Sequence, residues 1–291
     1  MRRRILRALP WKLRFLISLF IAYVPSNFLR ITLHRLFNGY RIDHSARIGF
    51  GTMLVVDDAR IGKAVIRWFN RFEGPFSLTI EDGVHIGSSN RFVCLFDVSG
   101  KGNKHPDGRP MRYCHIGKGV AVGEKHLIDT TGGFQVGEKS WIGGCESQFW
   151  THGPRNGPIV IGVNCYVSSA VRFAPGSSIG NHVLVAMGSV VTKNFRDNVM
   201  IGGGASKGHV GATGLEMRHV LQDLHRNYFL SLSNDTIVHR DPLYPWASPH
   251  FMPIPAQAGF LQKSSAGLFG NHVGQQWCGQ PMVSSPIPLP F

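Results

Sequence analysis

The sequence predicts an all-β fold in which the chain winds into a three-sided parallel coil, and three observations carry that expectation. From Ile161 to Val191 an aliphatic or aromatic residue recurs every six positions: Ile161, Val167, Phe173, Ile179, Val185 and Val191. Four places after each of the first five stands a mostly small residue, namely Cys165, Val171, Ser177, Val183 and Ser189. Ile/Val-Gly pairs fall on the same beat at Ile86-Gly87, Ile116-Gly117, Val136-Gly137, Ile161-Gly162 and Ile179-Gly180. A period of six fits neither the 3.6-residue helical turn nor the two-residue alternation of a strand. It fits one hexad per flat face, with the recurring apolar residue pointing into a narrow prism and the small one at a tight corner. An antiparallel sandwich would instead show alternating strands and hairpin dipeptides such as Asn-Gly, and this stretch is poor in both.

Residues 1–40 precede the coil. Leu6, Leu9, Leu13, Leu16 and Phe20 are spaced 3, 4, 3, 4 and define one face of a helix. Pro25 breaks that pattern, and Leu29, Leu33, Leu36 and Phe37 begin a second apolar set. The uncharged apolar stretch Phe15 to Asn27 is shorter than the roughly 20 apolar residues a spanning helix needs. A basic amphipathic segment with Trp11 and several phenylalanines matches a helix lying in the headgroup layer of an acidic membrane. Packing on the coil and a cleaved signal peptide are the alternatives. Lys12 and Arg14 interrupt the apolar region, and no Ala-x-Ala-like site follows.

Residues 41–208 form the expected coil. Ile42, Ile48 and Leu54 keep the beat, as do Ile80, Ile86, Phe92 and Val98, and then Ile116, Val122 and Ile128. Val136, Ile142 and Gln148 resume it after a two-residue slip at Gly132-Gly133. At about 4.8 Å per coil, residues 42 to 205 amount to about nine turns. Beyond it, Thr213 and Glu216 have capping-box spacing, and Met217, Val220, Leu221, Leu224 and Tyr228 share a stripe. A short C-terminal helix over 209–232 is expected to cover the open end of the prism. Residues 233–291 hold nine of the seventeen prolines without periodicity, and read as a Pro-rich, disordered tail.

The net charge of +14 would ordinarily point to nucleic acid. Its distribution argues otherwise, because Arg2, Arg3, Arg4, Arg7, Lys12, Arg14, Arg30 and Arg35 lie within the first forty residues with no acid among them. The expected partner is an anionic membrane surface, and no nucleic acid. Five cysteines without a C-x-x-C pair or a Cys/His cluster give no zinc site or disulfide framework. The expected location is cytoplasmic, peripheral on the inner face of the cell membrane.

Chemistry is expected where the repeat breaks. Between Gln148 and Ile161 the spacing jumps to thirteen, so the loop 149–158 leaves the coil and presents His152. A longer excursion, Gly100 to Cys114, carries Lys101, Lys104, Arg109 and Arg112 and is a second candidate arm.

Two stretches carry a resemblance: Gln148-Phe149-Trp150-Thr151-His152-Gly153, and Val167 to Lys193 with its ending Gly188-Ser189-Val190-Val191-Thr192-Lys193. On these the chain resembles the bacterial hexapeptide-repeat acyltransferases, and among them the colanic-acid and exopolysaccharide O-acetyltransferases. The resemblance implies a left-handed parallel β-helix of hexapeptide repeats acting as a homotrimer. It implies acetyl-CoA as acyl donor, a sugar hydroxyl of a lipid-linked or nascent polysaccharide as acceptor, and no metal. His152 matches the catalytic histidine, a general base of the kind an imidazole with an unperturbed pKa of about 6.5 can supply. Tyr166 and Ser168 match positions lining the pantetheine channel, and Thr192 and Lys193 positions at the far end of coenzyme A. Met187 stands where the family has Ala or Gly. Asp129, about one coil before the loop, is a candidate to orient His152 or bind the acceptor. Trp150, Glu146 and His126 are candidate acceptor contacts. Two other readings stay open, a metal hydratase like the gamma-class carbonic anhydrases and a non-catalytic membrane-docked scaffold. The hydratase reading lacks its His-x₄-His pair, since His105, His115, His126 and His152 are spaced too widely.

Overall fold

In the computed structural model, the residues described are 10–94, 112–153, 156–204 and 207–209. The hexad residues stack in three columns of parallel strands, one per face of a prism. The first column runs Ile42, Ile61, Ile80, Ile116, Val136, Ile161 and Ile179. The second runs Ile48, Ile66, Ile86, Val122, Ile142, Val167, Val185 and Ile201. The third runs Leu54, Phe72, Phe92, Ile128, Phe149, Phe173 and Val191. All of these side chains are buried and belong to one continuous core.

The corners explain the hexad. Asn164, Ala170, Gly176, His182 and Gly188 are six apart and all take left-handed backbone, with φ of 55°, 56°, 75°, 56° and 70°. The residue after each, from Cys165 to Ser189, turns inward and is buried, so it must be small.

The eight members of the second column mark seven turns, fewer than the nine expected. The missing residues are spent at one edge, where the chain passes from the third face to the first. The steps there from Leu54 to Ile61, Phe72 to Ile80, Phe92 to Ile116, Ile128 to Val136 and Phe149 to Ile161 all exceed the hexad, and only the later step from Phe173 to Ile179 keeps it. The strands Met53–Ile61 and Arg71–Ile80 simply run around this edge without a tight corner. The hexad also places Gln148 inward, whereas Phe149 occupies the core. An irregularity between Ile142 and Cys145 inserts one residue, so Phe149 pairs with Ile128 and Phe173. Its ring stacks on Phe173 at 5.0 Å.

At the corner between the second and third faces a ladder of buried polar side chains replaces small apolar ones. Thr52, Asn70, Asn90, His126 and Ser147 are each 1% exposed or less. The backbone N–H of Asn90 donates to Asn70 Oδ1, that of His126 to Asn90 Oδ1, and that of Ser147 to His126 Nδ1, at 2.9, 2.9 and 3.1 Å. Each rung thereby satisfies a corner amide of the next coil, which a buried apolar side chain could not do.

Two helices cover the first turn: α1 (Trp11–Ala22) and α2 (Asn27–Phe37). Ser26 caps α2. Helix α1 lays Trp11, Phe15 and Ala22 against Met53 and Val55. Helix α2 closes the open edge: Asn27 exchanges hydrogen bonds with Ala46 and Ile48, and Arg30 donates to the Ile48 carbonyl at 3.1 and 2.6 Å. Tyr40 exchanges bonds with the Val56 backbone. Backbone groups that an open strand end would expose are thus paired. These two helices thus pack on the coil, but the stripe Leu13, Leu16 and Phe20 faces away from it, 43%, 58% and 72% exposed. Arg2, Arg3, Arg4, Arg7, Leu6 and Leu9 lie outside the described residues.

At the other end, Lys207–His209 pairs antiparallel with Met200–Gly202, a strand the repeat does not foretell. The expected helix over 209–232 and the tail 233–291 lie outside the described residues apart from His209. Cys94, Cys114 and Cys165 are buried free thiols. Cys114 lies within the strand Tyr113–Ile116, so the expected arm ends before it; its Lys101, Lys104 and Arg109 are outside the described residues.

Candidate active site

The irregular edge is where functional side chains gather. Ile128 and Phe149 pair in register on the third face. The residues that follow each of them, Asp129 to Gly133 and Trp150 to Gly153, therefore leave the face one above the other. The loop joins strand Gln148–Phe149 to strand Ile159–Ile161, as the broken spacing predicts.

Asp129 organises the edge. It is 1% exposed and accepts six hydrogen bonds. Oδ1 takes the N–H and hydroxyl of Thr131, at 3.0 and 2.5 Å. Oδ2 takes the N–H and hydroxyl of Thr151 at 2.8 and 2.7 Å, and the N–H of His152 at 2.9 Å. The sixth is Nδ1 of His152, 2.7 Å from Oδ2. Burial alone would raise the carboxyl, but the donors on Thr131, Thr151 and His152 outweigh it and hold it below the usual carboxylate range. An ionised carboxylate is acceptor-only, so the shared hydrogen belongs to Nδ1, and in the neutral imidazole Nε2 is the nitrogen that keeps its lone pair. Nε2 makes no hydrogen bond to the described residues, and the side chain is 29% exposed.

The loop is held in place by close backbone approach. The Gly132 N–H donates to Thr151 Oγ1 at 2.8 Å. A Cβ at Gly132 would stand 2.4 Å from the Thr151 carbonyl oxygen, so no larger residue fits without moving the loop. Trp150 sets its ring edge-on to His152 at 5.6 Å and donates to Gln148 Oε1 at 3.2 Å. It is 37% exposed and forms one wall beside the imidazole.

The other expected residues divide by corner. Thr192 and Lys193 follow Val191 as Trp150 and Thr151 follow Phe149. They lie on the same edge as His152, two coils or about 10 Å along the axis. Both are exposed, and Lys193 Nζ sits 5.5 Å from the Phe195 ring centroid. Tyr166 is on the second face, edge-on to Trp141 at 5.1 Å and grouped with Leu184 and Met200. Burial raises its hydroxyl pKa, and Ser168 bonds to it. Met187 is 71% exposed at the neighbouring corner. Tyr166, Ser168 and Met187 do not meet His152 within one chain.

Glu146 and His126 lie apart from His152. Both lie at the corner where the third-face strand begins, whereas His152 follows the end of that strand. Glu146 is an exposed left-handed corner residue with φ 62°. His126 is a buried rung of the polar ladder, its pKa pushed down to about 4 by burial, and cannot meet an acceptor. Thr131, Thr151 and Gly132, which clamp the carboxylate and the loop, have no role in the sequence reading. The string Asp129-Thr130-Thr131-Gly132-Gly133 at the two-residue slip was the available signal. Among the described residues no group of three His, Cys, Asp or Glu side chains is arranged to hold a metal ion.

No family model matches the sequence. Among solved structures, the chain is similar to the polysialic acid O-acetyltransferase OatWY at 17% identity, over 58% of this chain and 83% of that one, with a TM-score of 0.47. It is similar to a hexapeptide transferase family protein from Anaplasma phagocytophilum at 14% identity, over 68% and 93%, with a TM-score of 0.41. It is also similar to the UDP-N-acetylglucosamine acyltransferase from Campylobacter jejuni at 16% identity, over 65% and 81%, with a TM-score of 0.37. The first and third of these neighbours are an acetyltransferase and an acyltransferase, and this chain is a parallel β-helix with a carboxylate-backed histidine on its irregular edge.

Proposed function

We propose that this protein is an acyltransferase that moves an acetyl group from acetyl-CoA to a sugar hydroxyl of a lipid-linked or nascent surface polysaccharide. One observation carries the reading: the 2.7 Å contact of His152 Nδ1 with a buried carboxylate, which leaves Nε2 as a proton acceptor at the edge. In this reaction Nε2 takes the proton of the acceptor hydroxyl as its oxygen attacks the thioester carbonyl. Asp129 balances the imidazolium that forms. When the tetrahedral intermediate collapses, the carbon–sulfur bond breaks and the imidazolium returns its proton to the departing thiolate. Positioned base catalysis of this kind is worth about 10²- to 10⁴-fold.

Coenzyme A binding is assigned to both edges. Thr192 and Lys193 share the His152 edge, and an exposed ammonium there attracts phosphate. Tyr166, Ser168 and Met187 belong to a different face and reach the same donor only from a neighbouring copy, which supports a homotrimer with its sites between protomers. Trp150, beside the imidazole, is the acceptor contact.

Calorimetric titration of the full chain with acetyl-CoA tests the reading. Saturable binding, weakened by Lys193→Ala and unchanged by His152→Ala, is expected. Absence of binding removes the acyl-CoA reading.

A further inference from the structure

We propose that the outward face of α1 and α2, continued by a row of aromatic side chains on the first coils, docks flat on an anionic lipid bilayer. Each helix has one side packed on the coil and an apolar side that faces away from it, whose most exposed members are Leu16, Phe20, Phe28 and Leu36 at 58%, 72%, 69% and 65%. Between the helices lies a groove of about 340 Å³ lined only by Leu16, Ile17, Phe20, Ile21, Leu33 and Phe37. Isolated exposed apolar residues are ordinary, but a continuous apolar face of this kind marks an interaction site.

The face continues beyond the helices. Tyr23, at the end of α1, meets Phe50 edge-on at 5.3 Å, and Phe50 meets Phe69 at 6.3 Å. Tyr23, Phe50, Phe69 and the adjoining Trp68 are 52%, 40%, 54% and 50% exposed. Phe69 is also strained. It holds a left-handed corner with φ 56°, where most corners of this coil carry Gly, Asn, Ser, Lys or Glu. A bulky side chain disfavours that backbone, and its exposure means that core packing does not repay the cost. Its ring lies over Gly51, where a Cβ would stand 2.3 Å away. Two unusual features thus keep one aromatic ring displayed at the surface.

Charge selects the occupant. The first forty residues hold eight cations and no acid; Arg14 and Arg30 turn into the coil, while Lys12, and Arg41 and Arg47 just beyond the helices, are exposed. An apolar face within a cation-rich, acid-free stretch, with aromatic side chains at its margin, matches the headgroup and upper acyl region of an acidic leaflet. No helix among the described residues is long and apolar enough to cross a membrane. The docking argument stands without the proposed reaction and supplies the surface on which a lipid-carried acceptor would be met.

Co-sedimentation of the full chain with large vesicles tests the proposal. Vesicles containing phosphatidylglycerol should pellet the protein, and phosphatidylcholine vesicles or added salt should weaken the binding. The triple variant Leu16→Ser, Phe20→Ser, Phe28→Ser should reduce vesicle affinity at least tenfold. Phe69→Asn should do so more weakly while holding or raising the melting temperature, because Asn accepts the left-handed corner. That second variant separates lost docking from lost folding. The proposal is overturned if the wild-type chain stays in the supernatant, or if both variants pellet with vesicles as it does. Acetyl-CoA titration of the same variants should be unchanged, so failure of docking and failure of the acyltransferase reading are told apart.

Discussion

His152 Nδ1 lies 2.7 Å from Asp129 Oδ2, although 23 residues and one turn of the coil separate them in sequence. The coil makes them neighbours, because stacking Phe149 on Ile128 puts the residues after each on the same edge. The imidazole is held at its back and open at its front, as proton transfer requires.

Replacing Asp129 with Asn keeps the shape but turns one acceptor oxygen into a donor facing Thr131 or the Thr151-His152 pair. The expected result is a fall in kcat approaching the 10²- to 10⁴-fold worth of the base itself. A stability loss of about 1–3 kcal/mol should accompany it, for buried donors left without a partner. Turnover and thermal melting of the one variant report the two effects separately.

Gly132→Ala should act on the loop without touching either catalytic group. The added methyl meets the Thr151 carbonyl oxygen, so the loop carrying His152 must shift. Displacements of about 1 Å cost on the order of 10²-fold in rate. The expected outcome is lost turnover with acetyl-CoA affinity nearly unchanged, read by steady-state kinetics beside calorimetry.

Acid should destabilise the fold before it reaches the carboxylate range. Burial, together with the charge of Arg30, pushes the His34 pKa down to about 3, and burial pushes His126 down to about 4. Both are near 6.5 in an unfolded chain. Between those values the unfolded state takes up protons that the native state refuses, so stability falls as pH drops below about 6.5. The depressed Asp129 carboxyl acts in a lower window, its contribution being lost as pH falls through its native value. Melting temperatures measured from pH 7.5 to 4.5 should decline, and His126→Asn should flatten part of that decline.

Asn90→Ala removes a rung of the ladder. It deprives the His126 N–H of its acceptor and the Gly123 carbonyl of its donor. A cost of about 1–3 kcal/mol is expected, or about 2–4 °C in Tm per kcal/mol for a domain of this size. Activity well below Tm should persist, since the rung lies at the far end of the strand from His152. Calorimetric melting and an assay at low temperature check both halves.

The fold was legible because one hexad encodes one face, and Ile161 to Val191 repeats it without interruption. The same regularity misled at Gln148, where a single inserted residue moves Phe149 into the core. It also overcounted the turns, since residues spent at the irregular edge look like coil. His152 was legible because it sits in the gap that breaks the beat. The clamp around Asp129 was not, because Thr131 and Thr151 acquire meaning only when two coils are stacked. The ladder was hidden for a related reason: Asn70, Asn90, His126 and Ser147 are unevenly spaced in sequence yet consecutive in space. On α1, hydrophobic spacing found the outward stripe and missed the inward one through Trp11, Phe15 and Ala22, since a helix with two apolar sides shows no single periodic face.

The central claim is that His152 is the base of an acetyl transfer to glycan. Mass spectrometry of cell-surface glycan, from cells making equal amounts of the wild-type protein or the His152→Ala variant, tests it most directly. The expected result is an acetyl increment on glycan in the first sample and its loss in the second. An acetyl increment that persists undiminished with His152→Ala would contradict the account.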